Sequence, residues 1–129
     1  MEILKTMVED NILKLEIGID YNEDSKELSG SIELDIENQS QFINIINSLF
    51  EEGNIQVLLD MTNISYIDSS GLWALFEGHK KAAQNNGNLA LLSPTKDVRR
   101  VLDITKMSSK MKIYDDEGAA ISDMMQASH

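Results

Sequence analysis

The sequence predicts a single α/β domain, residues 1–129, in which helices pack against a mixed, largely parallel sheet preceded by an N-terminal hairpin. Three observations support this fold class. Strand patterns alternate with helix patterns along the second half of the chain, and one nearly continuous apolar run is typical of a buried central strand. The length of 129 residues also suffices for one hydrophobic core without disulfides or metals.

The N-terminal segment has the pattern of a β-hairpin followed by a turn. Apolar residues alternate with polar or small ones from Leu13 to Ile19, and a shorter apolar stretch runs from Ile3 to Val8. Charged and polar residues from Asp20 to Lys26 predict a turn. After this turn, the segment from Leu28 to Leu34 predicts another strand.

The middle of the chain predicts a helix and then the central strand. Apolar residues recur at spacings of three and four from Phe42 to Phe50, which indicates a helix ending near Gly53. Asn38 or Ser40 is the expected cap of this helix. The segment from Ile55 to Met61 is nearly all apolar, so we expect a strand that is covered on both faces.

The second half predicts alternating helices and strands. Asn85-Asn86-Gly87 supplies a stop for the first of these helices, and Ser93-Pro94-Thr95 supplies a start for the next. The predicted elements are a helix from Leu72 to Ala83, a strand from Leu89 to Leu92, a helix from Val98 to Ile104, a strand from Met111 to Tyr114 and a helix from Glu117 to Met125.

The charge of the chain is distributed unevenly. The segment up to Asp60 carries 14 acidic and 3 basic side chains, whereas the remainder carries eight of each. Direct nucleic-acid binding requires clustered cations, so this composition argues against it. The basic residues that come nearest to a cluster are interpreted as the solvated face of two helices: Lys80, Lys81, Arg99, Arg100 and Lys106.

Neither export nor membrane insertion is predicted. The N-terminus lacks the cationic and apolar regions of a signal peptide, and no apolar run approaches the roughly 20 residues that span a bilayer. The chain also has no cysteine, which excludes disulfides and thiolate metal sites. We therefore expect a cytoplasmic protein without membrane attachment.

No catalytic, metal or cofactor site is predicted. His79 falls on the apolar stripe of a helix, where a packed or boundary imidazole is favoured over a base, and the other histidine is His129. The segment from Asp20 to Asp24 begins like a calcium loop, but Ser25 and Ser31 stand where that motif needs glycine and a carboxylate. An acidic hairpin turn is the better interpretation.

The Asp68–Gly71 loop carries the clearest functional signal. Apolar residues run up to Asp68, and two serines then begin an amphipathic helix, where unpaired N–H groups favour anions. Ser69 and Ser70 admit two interpretations. A serine here can cap the helix and contribute about 1 kcal/mol. Alternatively it accepts a phosphate, whose charge the helix dipole stabilises while Asp68 and an acidic partner surface repel it.

Trp73 is a candidate contact residue next to this loop. It follows Ser69 by four residues, so the two side chains are expected on the same side of the helix, one turn apart. The tryptophan either anchors an interface beside a modifiable serine or packs beneath the first helix as part of the core. The sequence leaves both alternatives open.

Recognisable motifs occur in three segments of the second half, NISYIDSSGLWAL, LLSPTKDVRRVLDITKM and KIYDDEGAAI. Together they resemble the STAS domain of bacterial anti-sigma-factor antagonists. The resemblance extends from Ile55 to Met124, with its most specific part at Ile67–Leu72, and it implies a small sheet with helices packed against it. Two features depart from the family pattern: members often carry a small residue at the position of Trp73, and the acidic stretch from Asp20 to Leu34 matches poorly.

The resemblance implies a regulatory binding protein rather than an enzyme. In the family an anti-sigma factor with serine kinase activity phosphorylates the first serine after the aspartate, here Ser69. The unmodified form binds that kinase, phosphorylation breaks the complex, and a serine phosphatase restores it. The implied partner-binding residues are Asp68, Ser69, Ser70, Gly71 and Leu72, to which we add Trp73. The alternative is a non-phosphorylated STAS subunit of a larger sensory or lipid-transport assembly.

Overall fold

The computed structural model describes residues 1–54 and 56–127, and in that part of the chain strands and helices alternate from β7 onward. In chain order the elements are β1 (Glu2–Glu9), β2 (Ile12–Gly18), β3 (Asp20–Asn22), β4 (Glu27–Ser29), β5 (Ile32–Leu34), α1 (Gln39–Glu51), β6 (Gln56–Asp60), β7 (Ile64–Ile67), α2 (Ser69–Gln84), β8 (Asn88–Leu92), α3 (Lys96–Ile104), a 3-10 helix (Met107–Ser109), β9 (Ile113–Tyr114) and α4 (Glu117–Ala127).

A five-stranded sheet with the order β1-β2-β6-β8-β9 forms the centre of the fold. β1 and β2 pair antiparallel, whereas β2, β6, β8 and β9 pair parallel to their neighbours. Two smaller sheets pair β3 antiparallel with β4 and β5 parallel with β7. The predicted N-terminal hairpin and largely parallel sheet with helices are confirmed.

β6 is the central strand, as predicted. The side chains from Val57 to Leu59 are fully buried, because helices cover both faces of the sheet at this strand. α1, α2 and α3 pack on one face, and α4 packs on the other through Ala120 and Met124. Ile55, the first residue of the predicted strand, lies outside the described residues.

The segment from Asp20 to Leu34 differs from the prediction. The predicted charged turn contains the short strand β3, and the strand predicted from Leu28 to Leu34 is two strands that belong to different sheets. Gly30 explains the division, because its φ of +90° is a left-handed conformation that interrupts a strand. β4 therefore returns along β3 as an acidic hairpin, and β5 pairs with β7.

α1 begins directly after Asn38, one of its two predicted caps. Asn38 precedes the first helical residue, and its side chain makes no capping hydrogen bond. Its Oδ1 instead accepts from the Asp35 amide at 2.9 Å, and its Nδ2 donates to the Glu33 carbonyl oxygen at 2.6 Å. Ser40 lies inside the helix. Asn38 therefore holds the predicted N-cap position, although its side chain stabilises the approach from β5 and does not bond to a helical amide, and the alternative of Ser40 as the cap is wrong.

The strand that leads into the Asp68–Gly71 loop is β7 rather than the central strand. β6 ends at Asp60, whose Oδ1 accepts hydrogen bonds from the amide and the hydroxyl of Thr62 at 2.9 and 2.6 Å. The chain turns at this point, and β7 then pairs with β5. The apolar segment that runs up to Asp68 therefore forms two strands, because this side-chain turn divides it.

The later elements follow the predicted order. Thr95 precedes α3, and its hydroxyl accepts a hydrogen bond from the Val98 amide at 3.3 Å, which caps the helix. The last strand is shorter than predicted, because the Met111 amide donates to the Met107 carbonyl oxygen at 3.1 Å in the turn that follows the 3-10 helix. That 3-10 helix was not predicted.

Candidate functional site

The Asp68–Gly71 loop is capped by its aspartate. Asp68 has an extended backbone, and its Oδ1 accepts a hydrogen bond from the Gly71 amide at 2.9 Å. Ser69 and Ser70 are the first two residues of α2 and do not cap it. The capping interpretation of the serines is therefore wrong, because the residue before them occupies the cap position.

Gly71 holds the loop against the neighbouring strands. A Cβ atom at this position would lie 2.2 Å from the Leu34 carbonyl oxygen and 2.7 Å from Ile67 Cγ1. The Asp68 amide also donates to the Leu34 carbonyl oxygen at 3.2 Å. The loop backbone is thus fixed to β5 and β7, and a side chain at position 71 would displace it.

The two serines differ in exposure. Ser69 is exposed and Ser70 is half-buried, and neither hydroxyl forms a hydrogen bond within residues 1–54 and 56–127. Both lie in the first turn of a 16-residue helix, where unpaired amides and the helix dipole favour a negative charge. The exposed hydroxyl of Ser69 is therefore accessible to a modifying enzyme without any prior rearrangement.

Trp73 is on the surface, with 50% of its area exposed. The alternative that it packs beneath the first helix is therefore wrong. It lies one helical turn after Ser69, and both residues line a shallow groove between α2 and the 3-10 helix. We call this the α2 groove, and its lining residues are Ser69, Leu72, Trp73, Phe76, Thr105, Met107 and Lys110.

The far wall of the α2 groove could not be predicted from local sequence patterns. Thr105 directly follows α3, Met107 begins the 3-10 helix and Lys110 directly follows it, and the fold brings this segment next to the loop. Lys110 Nζ lies 5.3 Å from the centroid of the Phe76 ring, in cation–π distance. The sequence shows that the segment from Thr105 to Lys110 is polar and basic. It does not show that this segment packs beside α2.

The basic residues of the second half are distributed over several surfaces. Lys80, Arg100 and Lys106 are exposed, and Lys81 and Arg99 are half-buried. Lys80 pairs with Glu77 at 3.0 Å. Lys80 and Lys81 lie on α2 and Arg99 and Arg100 on α3, as predicted, whereas Lys106 lies on neither helix and follows the end of α3.

His79 is half-buried, and its ring centroid lies 6.5 Å from that of Phe76. This placement confirms the predicted boundary position. Within residues 1–54 and 56–127, no group of three or more His, Cys, Asp or Glu side chains could hold a metal ion. In the same ranges, no helix is long and apolar enough to cross a bilayer.

Tyr114 and Asp123 join β9 to α4 outside the α2 groove. The Tyr114 hydroxyl donates to Asp123 Oδ2, and Lys112 Nζ lies 3.4 Å from the same oxygen. Burial and this hydrogen bond raise the pKa of Tyr114 from 10.0 to about 12. Hydrogen bonds from Tyr114 and Lys112 lower the pKa of the Asp123 carboxyl.

The sequence matches the family model of the STAS domain over residues 25–120. The chain belongs to the STAS domain family. An anti-sigma-B factor antagonist from Staphylococcus epidermidis is 31% identical over 102 residues, which cover 78% of this chain and 94% of that protein. The recognition made from the three sequence motifs is confirmed.

Solved structures share the fold. The crystal structure of a Thermotoga maritima protein, assigned provisionally as an anti-sigma factor antagonist, is 25% identical with a TM-score of 0.77 and covers 95% of this chain and 94% of its own. The anti-sigma factor antagonist SpoIIAA in its unphosphorylated form has a TM-score of 0.64 at 17% identity, covering 97% and 98% of the two chains. The structure of the Bacillus cell fate determinant SpoIIAA in the phosphorylated form has a TM-score of 0.63 at 19% identity, covering 94% of this chain and 97% of its own.

Proposed function

We propose that this STAS domain is an anti-sigma-factor antagonist whose binding to an anti-sigma factor is controlled by phosphorylation of Ser69. The unmodified chain binds an anti-sigma factor that has serine kinase activity, and transfer of phosphate to Ser69 releases it. A serine phosphatase then restores the binding form. The chain itself acts by binding and not by catalysis.

The observation that supports this proposal is the exposed hydroxyl of Ser69. Its hydroxyl is exposed and unbonded, at the amino end of α2 and on the edge of the α2 groove. Asp68 and Gly71 fix the backbone on which it stands. A phosphate added here changes the charge of the surface by about −1.5 to −2 without disturbing the core.

The neighbouring residues have distinct roles in the proposed interface. Leu72 and Trp73 supply the apolar contact, with Trp73 as the anchor because large aromatic side chains dominate interface energies. Ser70 is half-buried and does not line the groove, so it contributes at the edge of the interface. Asp68 and Gly71 position these contacts through the loop backbone.

The test is affinity capture from native lysate with four baits, followed by quantitative mass spectrometry. The baits are the unaltered chain, Ser69→Ala, Ser69→Asp and Ser40→Asp. Ser40 is the matched control, because it is an exposed serine in the first turn of α1 and receives the same charge away from the groove. Circular dichroism of each bait checks that it is folded.

We expect an ATP-binding kinase to be captured by the unaltered chain, Ser69→Ala and Ser40→Asp, and to be lost with Ser69→Asp. Equal capture by all four baits would contradict the switch. It would favour the alternative of a constitutive STAS subunit in a larger assembly. Ser69 would then be an ordinary surface residue of α2.

A further inference from the structure

We propose that the α2 groove binds a partner segment with an apolar anchor flanked by carboxylate side chains, and that Lys110 recognises the carboxylates. This inference rests on the proposed function, because it names the chemistry of the segment that docks beside Ser69. It specifies a charge for the partner that neither the family nor the relatives assign.

The apolar part of the segment is indicated by the groove floor. Trp73 is half exposed, and Leu72, Phe76 and Met107 are each half-buried. A flexible methionine beside two aromatic rings forms an adaptable apolar contact surface. Such a surface would bury one large apolar side chain of a partner.

The charge of the segment is indicated by Lys110. Within the described ranges this lysine forms no salt bridge, whereas Lys80 pairs with Glu77 at 3.0 Å and Lys112 lies 3.4 Å from Asp123. Among the residues that the structure describes, none that lines the α2 groove carries a carboxylate. A free ammonium group above an aromatic ring attracts a carboxylate and retains its cation–π contact after pairing.

Lys106 extends the positive rim. It is exposed, forms no salt bridge in the described part of the chain, and lies between the groove residues Thr105 and Met107 in sequence. The sequence as a whole has a net charge of −11. A cationic groove on an acidic protein would attract an acidic segment selectively, because the surrounding surface repels negatively charged chains elsewhere.

The same geometry accounts for release. Ser69 and Lys110 line one groove, so a phosphate on Ser69 places its negative charge beside the bound carboxylates. The phosphate repels these carboxylates and competes with them for Lys110. Modification thus weakens docking without unfolding α2, whose N-terminus tolerates the charge.

The first experiment selects random peptides displayed on phage against the unaltered chain, and then measures the best peptide by Trp73 fluorescence. Trp73 is the single tryptophan of the sequence, so its emission reports occupancy of the groove. The peptide is tested against Lys110→Glu and against Lys5→Glu. Lys5 is the matched control, because it is an exposed lysine on β1, the edge strand opposite β9.

We expect selected peptides rich in Asp and Glu next to an apolar residue. Lys110→Glu should weaken binding about tenfold, equivalent to about 1.4 kcal/mol, and Lys5→Glu should leave it unchanged. Changing the peptide Glu to Gln should weaken binding to the unaltered chain but not to Lys110→Glu. Ser69→Asp should weaken binding of the acidic peptide severalfold, because its carboxylate repels the peptide and competes with it for Lys110.

Several outcomes would overturn the inference. They are enrichment of basic peptides, absence of any groove-binding peptide, and acidic peptides that bind Lys110→Glu as tightly as the unaltered chain. The failure of this inference is distinguishable from failure of the switch. Peptide selection uses the unmodified chain and no kinase, so acidic peptides can be absent while Ser69→Asp still loses its partner in the capture experiment. Conversely, acidic peptides can be selected while Ser69→Asp retains its partner.

Discussion

The Asp68–Gly71 loop and the β3–β4 hairpin are both polar surface connections, yet they are held in different ways. In the hairpin, Asn22 Oδ1 accepts from the amides of Asp24 and Ser25 at 2.9 and 3.0 Å, so its turn is stabilised locally. The Asp68–Gly71 loop also has a local bond, from the Gly71 amide to Asp68 Oδ1 at 2.9 Å, but it is held in addition by Leu34 of β5 and Ile67 of β7. The difference shows that tertiary packing, added to local turn chemistry, fixes the position of the modifiable hydroxyl.

The largest expected effect is that of Gly71→Ala. A Cβ atom would meet the Leu34 carbonyl oxygen at 2.2 Å, so we expect a loss of about 3 kcal/mol in the free energy of unfolding, measured with urea. Gly118→Ala is the control, since its nearest neighbour is the mobile end of Asp116 at 3.3 Å. The control should change stability by less than about 1 kcal/mol. Equal losses in both variants would show that the loop is not packed as described.

Asp68→Ala should have the next largest effect. It removes the hydrogen bond to the Gly71 amide and should cost about 1 kcal/mol, with faster hydrogen exchange at that amide. Asn22→Ala is the matched variant in the β3–β4 hairpin, because it removes the two hydrogen bonds that stabilise that turn. Its effect on exchange should stay within the hairpin. Faster exchange of the Gly71 amide in Asn22→Ala would contradict the independence of the two regions.

Tyr114→Phe should alter stability at alkaline pH. Because the folded-state pKa of Tyr114 is raised from 10.0 to about 12, its contribution is present below pH 10 and is lost as the pH rises through 12. The unaltered chain should therefore lose more stability over this window than Tyr114→Phe does. Tyr21→Phe, at an exposed position of the hairpin, is the control in pH-dependent urea unfolding. Parallel pH profiles for the unaltered chain and Tyr114→Phe would contradict this role.

Trp73→Ala should have the smallest effect on stability. Half of the side chain is exposed, so we expect a change within about 0.5 kcal/mol. Capture of the partner should nevertheless fall strongly if this residue is the anchor. Tyr66→Ala, at an exposed aromatic position on β7, is the matched control. Unaltered capture with Trp73→Ala would remove the tryptophan from the interface.

The sequence predicted those features that depend on periodic apolar patterns. The central strand, the hairpin and the helices after Asn38, Asp68 and Thr95 all follow from such patterns. The division of Leu28–Leu34 was missed, because Gly30 was not recognised as a break in the strand. A single turn at Asp60 and Thr62 likewise separated β6 from β7.

The candidate site was predicted only in part. The residues from Asp68 to Trp73 are adjacent in sequence, so their proximity follows from one helix start. The position of Trp73 and the far wall with Lys110 depend on how α2 packs beside the 3-10 helix, which no local pattern reveals. Asp68 caps α2 because it directly precedes the first helical residue. The cap therefore does not use either serine hydroxyl.

Phosphate on Ser69 should release the partner, and ATP addition to the captured complex tests this release most directly. Release would be followed over time, and phosphorylated positions would be mapped by peptide mass spectrometry, with Ser69→Ala as the control. We expect one phosphate at Ser69, release of the unaltered chain and retention of Ser69→Ala. Phosphate at Ser70 alone, or a complex that persists with Ser69 fully phosphorylated, would contradict it.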